Sequence, residues 1–127
     1  MTILMTRSDE KENPSYNEAM RLRQQGELQR ALELFAVAGR QSELWATAAH
    51  TARAEIFKEM GLLDEAEVEL KRGLELRPFA KLTSYMLFTL LVRQGRLEEA
   101  IFHSRAFLSR APPTKVDPLI LDWRAQL

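Results

Sequence analysis

Apolar residues return along this chain at intervals of three and four, in stretches of ten to eighteen residues that single glycines and prolines interrupt. That spacing predicts amphipathic helices, and no stretch of useful length alternates with period two as a half-buried strand does. Asn13 followed by Pro14 starts a first helix over about 14–24, because Asn caps free N–H groups and Pro suits the first helical position. Tyr16, Ala19, Met20 and Leu22 mark its apolar side, and Gly26 provides the turn. Leu28, Ala31, Leu32, Phe35 and Ala38 form the face of a second helix that Gly39 is expected to close. Ser42 is the expected cap of a third helix over 43–60, bearing Leu44 or Trp45, Ala48, Ala49, Ala52, Ile56 and Met60.

Gly61 ends that third helix. A fourth begins with Asp64, Glu65 and Glu67 at its positive end, and Pro78 stops it. Another pair is expected over about 81–94 and 97–110, separated by Gly95 and ended by Pro112 and Pro113. A last segment has Asp117 as cap and Pro118 in the first position, followed by Leu119, Ile120, Trp123 and Leu127 at helical spacing.

The punctuation is itself periodic. Gly61 and Gly95 are 34 residues apart, as are Pro78 and Pro112, and Gly26 lies 35 before Gly61. A helix pair recurring at this interval buries its apolar face only against its neighbours, so the units must stack.

These residues resemble the tetratricopeptide repeats. QGELQRALELF, MGLLDEAEVELKRGLELRP and QGRLEEAIFHSRAFLSRAP match the second half of that family's unit. The Gly set is Gly26, Gly61 and Gly95; the apolar set Leu28, Leu63 and Leu97; the small set Ala31, Ala66 and Ala100. Ala19 and Ala54 supply the small residue in the middle of the first helix, where the third copy departs with Phe88. Leu22, Phe57 and Leu91 are the large residues three positions later. The first copy lacks the terminating Pro and is one residue longer, which leaves the junction from Gly39 to Ser42 the least regular.

The resemblance implies an all-α fold: a right-handed superhelix of three antiparallel helix-pair repeats, at about 12–46, 47–80 and 81–114. A leader over 1–11, expected to be flexible, precedes them, and a capping helix over 115–127 covers the last, with Trp123 as its anchor. An ordinary helical bundle is the plainer alternative, which keeps the helices and loses the groove.

In that family the first helix of each pair lines a concave surface that takes an extended peptide or a partner helix. Carried over, the groove positions are Asn13, Tyr16, Met20 and Arg23, then Ala48, Thr51, Glu55 and Lys58, then Leu82, Tyr85, Thr89 and Val92. Met20, the two tyrosines and Leu82 are the expected apolar contacts, with Arg23, Glu55 and Lys58 setting polarity; Met20 and Leu82 serve equally well as core between helices. A family subtype grips a C-terminal carboxylate with Lys, Asn and Arg. Here Tyr16 and Met20, Ala52, and Leu82 with Met86 stand at those places, which disfavours the acidic tails of heat-shock chaperones.

Composition narrows the function further. The 127 residues suffice for one domain, and 18 basic against 18 acidic residues leave no net field to gather nucleic acid or an anionic membrane. Without cysteine there is no disulfide framework, thiolate zinc site or thiol nucleophile. The apolar run near the start is too short for a secretory signal or a membrane span, so a cytoplasmic location without membrane insertion is expected.

No catalytic, cofactor or metal site is expected. His50 and His103 lie in different repeats, with His50 read at a helix junction and His103 in solvent. Asp64, Glu65, Glu67 and Glu69 read as a solvated helix start, and the glycines are too dispersed for a phosphate loop. Trp45 either packs at the irregular junction, the favoured reading, or marks a contact surface. The expected function is therefore a non-enzymatic adaptor or small chaperone holding a peptide or helix of a partner protein. A type III secretion chaperone is one specific form. The alternative is a self-assembling scaffold, in which Ile3 to Met5 or an open end of the stack docks into another copy.

Overall fold

The computed structural model describes residues 12–110 and 123–126, and the account below concerns those residues. They form six helices: α1 (Pro14–Gln24), α2 (Leu28–Gln41), α3 (Glu43–Glu59), α4 (Leu63–Leu76), α5 (Lys81–Arg93) and α6 (Leu97–Leu108). A helical turn follows at 123–126, and no strand occurs among the described residues. Each helix packs on the next in chain order. The leader, Asp117 and Pro118 lie outside the described residues.

The recurring glycines are one capping device used three times. Gly26, Gly61 and Gly95 have φ of 81°, 77° and 76°, a left-handed conformation that costs any other L-residue a clash at Cβ. With the glycine so placed, the next amide turns back to the helix it has just left. Glu27, Leu62 and Arg96 donate to the carbonyls of Leu22, Phe57 and Leu91 at 2.9, 2.8 and 2.9 Å. These bonds satisfy carbonyls that a helix end otherwise exposes. The side chains above two of those carbonyls, Leu22 and Leu91, are buried, so each turn is fixed to the core it bounds.

At the other end of α1, Asn13 is extended and its Oδ1 accepts from the Tyr16 amide at 3.0 Å. Its Nδ2 donates to the Ala38 carbonyl at 3.2 Å, tying the start of α1 to the last turns of α2.

Two expectations at the first junction are corrected. Gly39 does not close α2, which continues to Gln41. A Cβ at Gly39 would stand 3.1 Å from Cβ of Ala49, so this glycine serves the close approach of α2 and α3. Ser42 occupies the boundary in extended conformation, but its side chain makes no capping bond. Its carbonyl instead accepts from the Trp45 amide at 3.1 Å, and a single residue separates the two helices.

Two apolar clusters form the interior. The first joins Ala19, Leu22, Ala31, Leu32 and Phe35 to Ala52 and Ile56 of α3. The second joins Ala54, Ala66, Leu70, Leu87, Leu91 and Ala100, and Phe57 packs against both. Ala31, Ala66 and Ala100 are almost fully buried, because a side chain longer than a methyl would hold the paired helices apart.

Phe88, large where the earlier copies carry alanine, is buried beneath Trp123 with ring centroids 5.8 Å apart. Trp123 is itself fully buried, stacked on Phe107 at 5.0 Å and set edge-on to Tyr85 at 5.4 Å. The described part of the terminal segment thus anchors on α5 and α6 through this indole, with Arg124 donating to the Leu108 carbonyl at 3.5 Å and Gln126 to the Tyr85 hydroxyl at 3.3 Å.

Candidate functional site

A groove of about 750 Å³ runs across α1, α3 and the start of α5. Tyr16, Met20 and Arg23 form one wall, Ala48, Thr51 and Glu55 the floor, and Leu82 the far side. A second depression of about 460 Å³ continues it between α3 and α5, lined by Lys58, Tyr85 and Thr89. Arg23, Glu55 and Leu82 border both, so the two are contiguous.

Ten of the twelve positions inferred from the sequence thus line one continuous surface. Helical register explains this: positions three and four apart on each first helix present one stripe. Asn13 and Val92 are the exceptions. Asn13 is buried with its amide engaged in the two bonds described above, and Val92 is exposed at the end of α5, outside both depressions.

Burial gives the groove residues different parts. Thr51 is buried and structural: its hydroxyl donates to the Thr47 carbonyl at 2.9 Å and meets Oγ1 of Thr83 at 2.9 Å, joining α3 to α5 below the floor. Tyr16 is half-buried, edge-on to Phe35 at 5.1 Å and tilted against Trp45 at 4.8 Å. Trp45 therefore packs at the junction. Tyr85 is likewise held by Trp123 and Phe88. Ring contacts thus set both tyrosines in the groove wall, and Met20 is packed on the first cluster while lining the groove.

The adaptable apolar surface lies at the rim. Leu44, Leu76, Phe79 and Leu82 are each more than half exposed, at 52%, 55%, 62% and 53%, and all four border the groove. Of these, only Leu82 was inferred as a groove residue. The connection from α4 to α5 reads in sequence as a terminator, yet it carries Phe79, an aromatic residue in a helix-free stretch with no periodic face to serve. That mismatch is the signal that could have found it.

Opposite this rim sits a fixed charge network. Arg23 on α1 reaches across to α3, with Nη1 2.8 Å from Glu55 and Nη2 on Glu59. Partial burial works against the guanidinium charge, but the bonds to Glu59 and Glu55 outweigh it and raise its pKa above the ordinary value. Burial and the charge of Glu55 likewise push the Tyr16 hydroxyl up. The groove thus pairs an apolar edge with a polar one.

Outside the groove, the reading of the acidic run as a solvated helix start is corrected for two of its four residues. Asp64 and Glu65 are exposed in the first turn of α4, whereas Glu67 and Glu69 are buried. Glu69 stands 2.7 Å from His50 Nδ1, 3.4 Å from Arg53 and 3.6 Å from Arg72. Burial alone would raise its pKa, but the His50 hydrogen bond and the Arg53 charge hold it below the ordinary carboxylate range. Glu67 is held low chiefly by its hydrogen bond from Arg96, with Lys71 adding at 2.7 Å. His50 lies within α3 and faces α4 through Glu69; His103 is half-buried against Phe102, not free in solvent.

No group of three metal-ligating side chains comes together among the described residues, and none of their helices is long and apolar enough to cross a membrane. No family model matches the sequence, and no curated protein matches it.

Proposed function

We propose that this chain is a non-enzymatic protein-binding module of three tetratricopeptide-like repeats, coiled right-handed, that holds a peptide or helix of a partner protein in its groove. The observation that carries the reading is the groove itself: a continuous surface built by the first helix of each pair, with exposed Leu44, Leu76, Phe79 and Leu82 facing the Arg23, Glu55 and Glu59 network. An apolar rim beside a few fixed polar groups suits a segment carrying large apolar side chains, with polar groups setting its direction. An amphipathic helix has that composition.

In this reading the module acts in the cytoplasm as an adaptor or small chaperone, and a type III secretion chaperone is its most specific form. Affinity capture with the intact chain and with a Phe79→Asp, Leu82→Asp double variant tests the groove. Both residues are exposed, so the fold should survive the change. Loss of a specifically retained protein is the expected result; identical recovery by both chains rejects the groove as the site.

A further inference from the structure

Helix α6 carries an exposed stripe of self-complementary design. Glu98, Ile101, Phe102 and Arg105 occupy positions i, i+3, i+4 and i+7, one face of the helix, and together border a shallow surface depression. Phe102 is 71% exposed, more than the other exposed large apolar residues. Ile101 and Leu97 extend the apolar surface beside it.

The repeat explains why Ile101, beside Phe102, stands open. Ile101 lies one period after Glu67 and two after Leu32, and both of those are buried. Leu32 is covered by Ala52 and Ile56 of the following helix pair, and Glu67 by Arg96 of the pair that follows it. No described helix pair follows α6, and Trp123 is placed on Phe107, Phe88 and Tyr85 instead. A position that the fold covers twice is therefore apolar and uncovered the third time. Contiguous apolar surface of this kind marks a site of association.

The flanking charges identify what covers it. Glu98 and Arg105 bracket the apolar pair, and among the described residues neither takes part in an ion pair. The midpoint between them falls between Ile101 and Phe102. Two α6 helices laid antiparallel about a two-fold axis through that midpoint bring the apolar pair onto its own copy and set Glu98 of each chain against Arg105 of the other. A parallel arrangement would instead oppose Glu98 to Glu98 and Arg105 to Arg105. A surface complementary to itself only when rotated by half a turn is what an isologous contact requires. We propose that the α6 stripe is a two-fold homodimer interface, with a second copy of this chain as its occupant.

Light scattering of the full chain over a concentration series should show a dimer that Phe102→Asp converts to monomer with its helical content unchanged. Glu98→Arg alone and Arg105→Glu alone should each weaken the dimer by about tenfold or more, since each sets like charges together twice across the axis. The double exchange should restore affinity to within about threefold of the parent, because the pairs re-form with signs reversed. Because the chain has no cysteine, Ile101→Cys gives a separate readout: a disulfide-linked dimer on mild oxidation, absent from a Val68→Cys control on the exposed side of α4. A parent chain that is monomeric at every concentration overturns the proposal. So does a dimer indifferent to Phe102→Asp, or a double exchange no tighter than the single ones. The Phe79→Asp, Leu82→Asp variant should dimerise normally, which separates this interface from the groove.

Discussion

Glu69 on α4 places a carboxylate oxygen 2.7 Å from Nδ1 of His50 on α3, and the glutamate side chain is almost wholly withdrawn from water. The same carboxylate faces Arg53 and Arg72, so one buried anion holds cationic and hydrogen-bonding groups from two helices. Its counterpart one repeat earlier is Leu34, a partly buried apolar residue packed on the first cluster. A polar contact on α4 thus stands one sequence period after an apolar one on α2. A charge is tolerated in the interior only when it is fully partnered.

Removing that charge should therefore cost stability even though the variant preserves shape. Glu69→Gln is expected to destabilise the chain by about 1 to 3 kcal/mol at neutral pH, because a neutral amide leaves its basic partners undersatisfied. Urea unfolding measures it.

Acid should act through the same residues. Glu67 and Glu69 both have folded pKa values below the ordinary range, so the unfolded chain takes up protons first as pH falls. Their contribution is complete above the unfolded value of about 4.3 and is lost as pH drops through the lower folded values. The urea midpoint should decline on that acid side, and Glu69→Gln should decline less steeply from its lower starting point. Parallel pH profiles for the two chains would count against this assignment.

The glycine turns carry a backbone prediction. Gly61 and Gly95 have open space where a Cβ would project, so any cost of Gly61→Ala or Gly95→Ala comes from the left-handed backbone alone. That cost is expected to be about 1 to 2 kcal/mol. Asparagine, which tolerates this conformation better, should cost less than alanine at both positions, as thermal unfolding would show.

The helix crossings distinguish inside from outside within one repeat. Ala66→Leu and Ala100→Leu should each lose about 1 to 3 kcal/mol by overpacking a site where only a methyl fits. Val68→Leu, two residues along α4 and nearly half exposed, should stay within about 0.5 kcal/mol of the parent. Equal effects at 66 and 68 would rule out this packing register.

Trp123 tests the end of the molecule. Trp123→Ala uncovers Phe88 and Phe107 together and should cost about 3 to 5 kcal/mol, the range for truncating a large buried aromatic. Chemical unfolding of the full chain provides the measurement, with Val68→Leu, on the exposed side of α4, as the control expected to remain close to the parent.

What was legible in the sequence was local. Asn13 before Pro14, the three glycines and the apolar spacing placed α1 at its observed ends and put the other helices within a few residues of theirs, because capping, left-handed turns and helical period depend on neighbours in the chain. Ten of the positions carried over from the family resemblance line one surface, since residues three and four apart on a helix share a face. Packing decided the rest. Gly39 resembles a helix end until Ala49 is found 3.1 Å from its missing side chain, and Glu67 and Glu69 resemble a solvated helix start until Arg96, Arg53 and His50 close over them. Phe79 gains its place on the groove rim only when α4 and α5 are brought side by side. Helix ends and period follow from short-range sterics and hydrogen bonding that the sequence contains in full; burial and charge partnership follow from contacts across dozens of residues, which exist only once the helices have stacked.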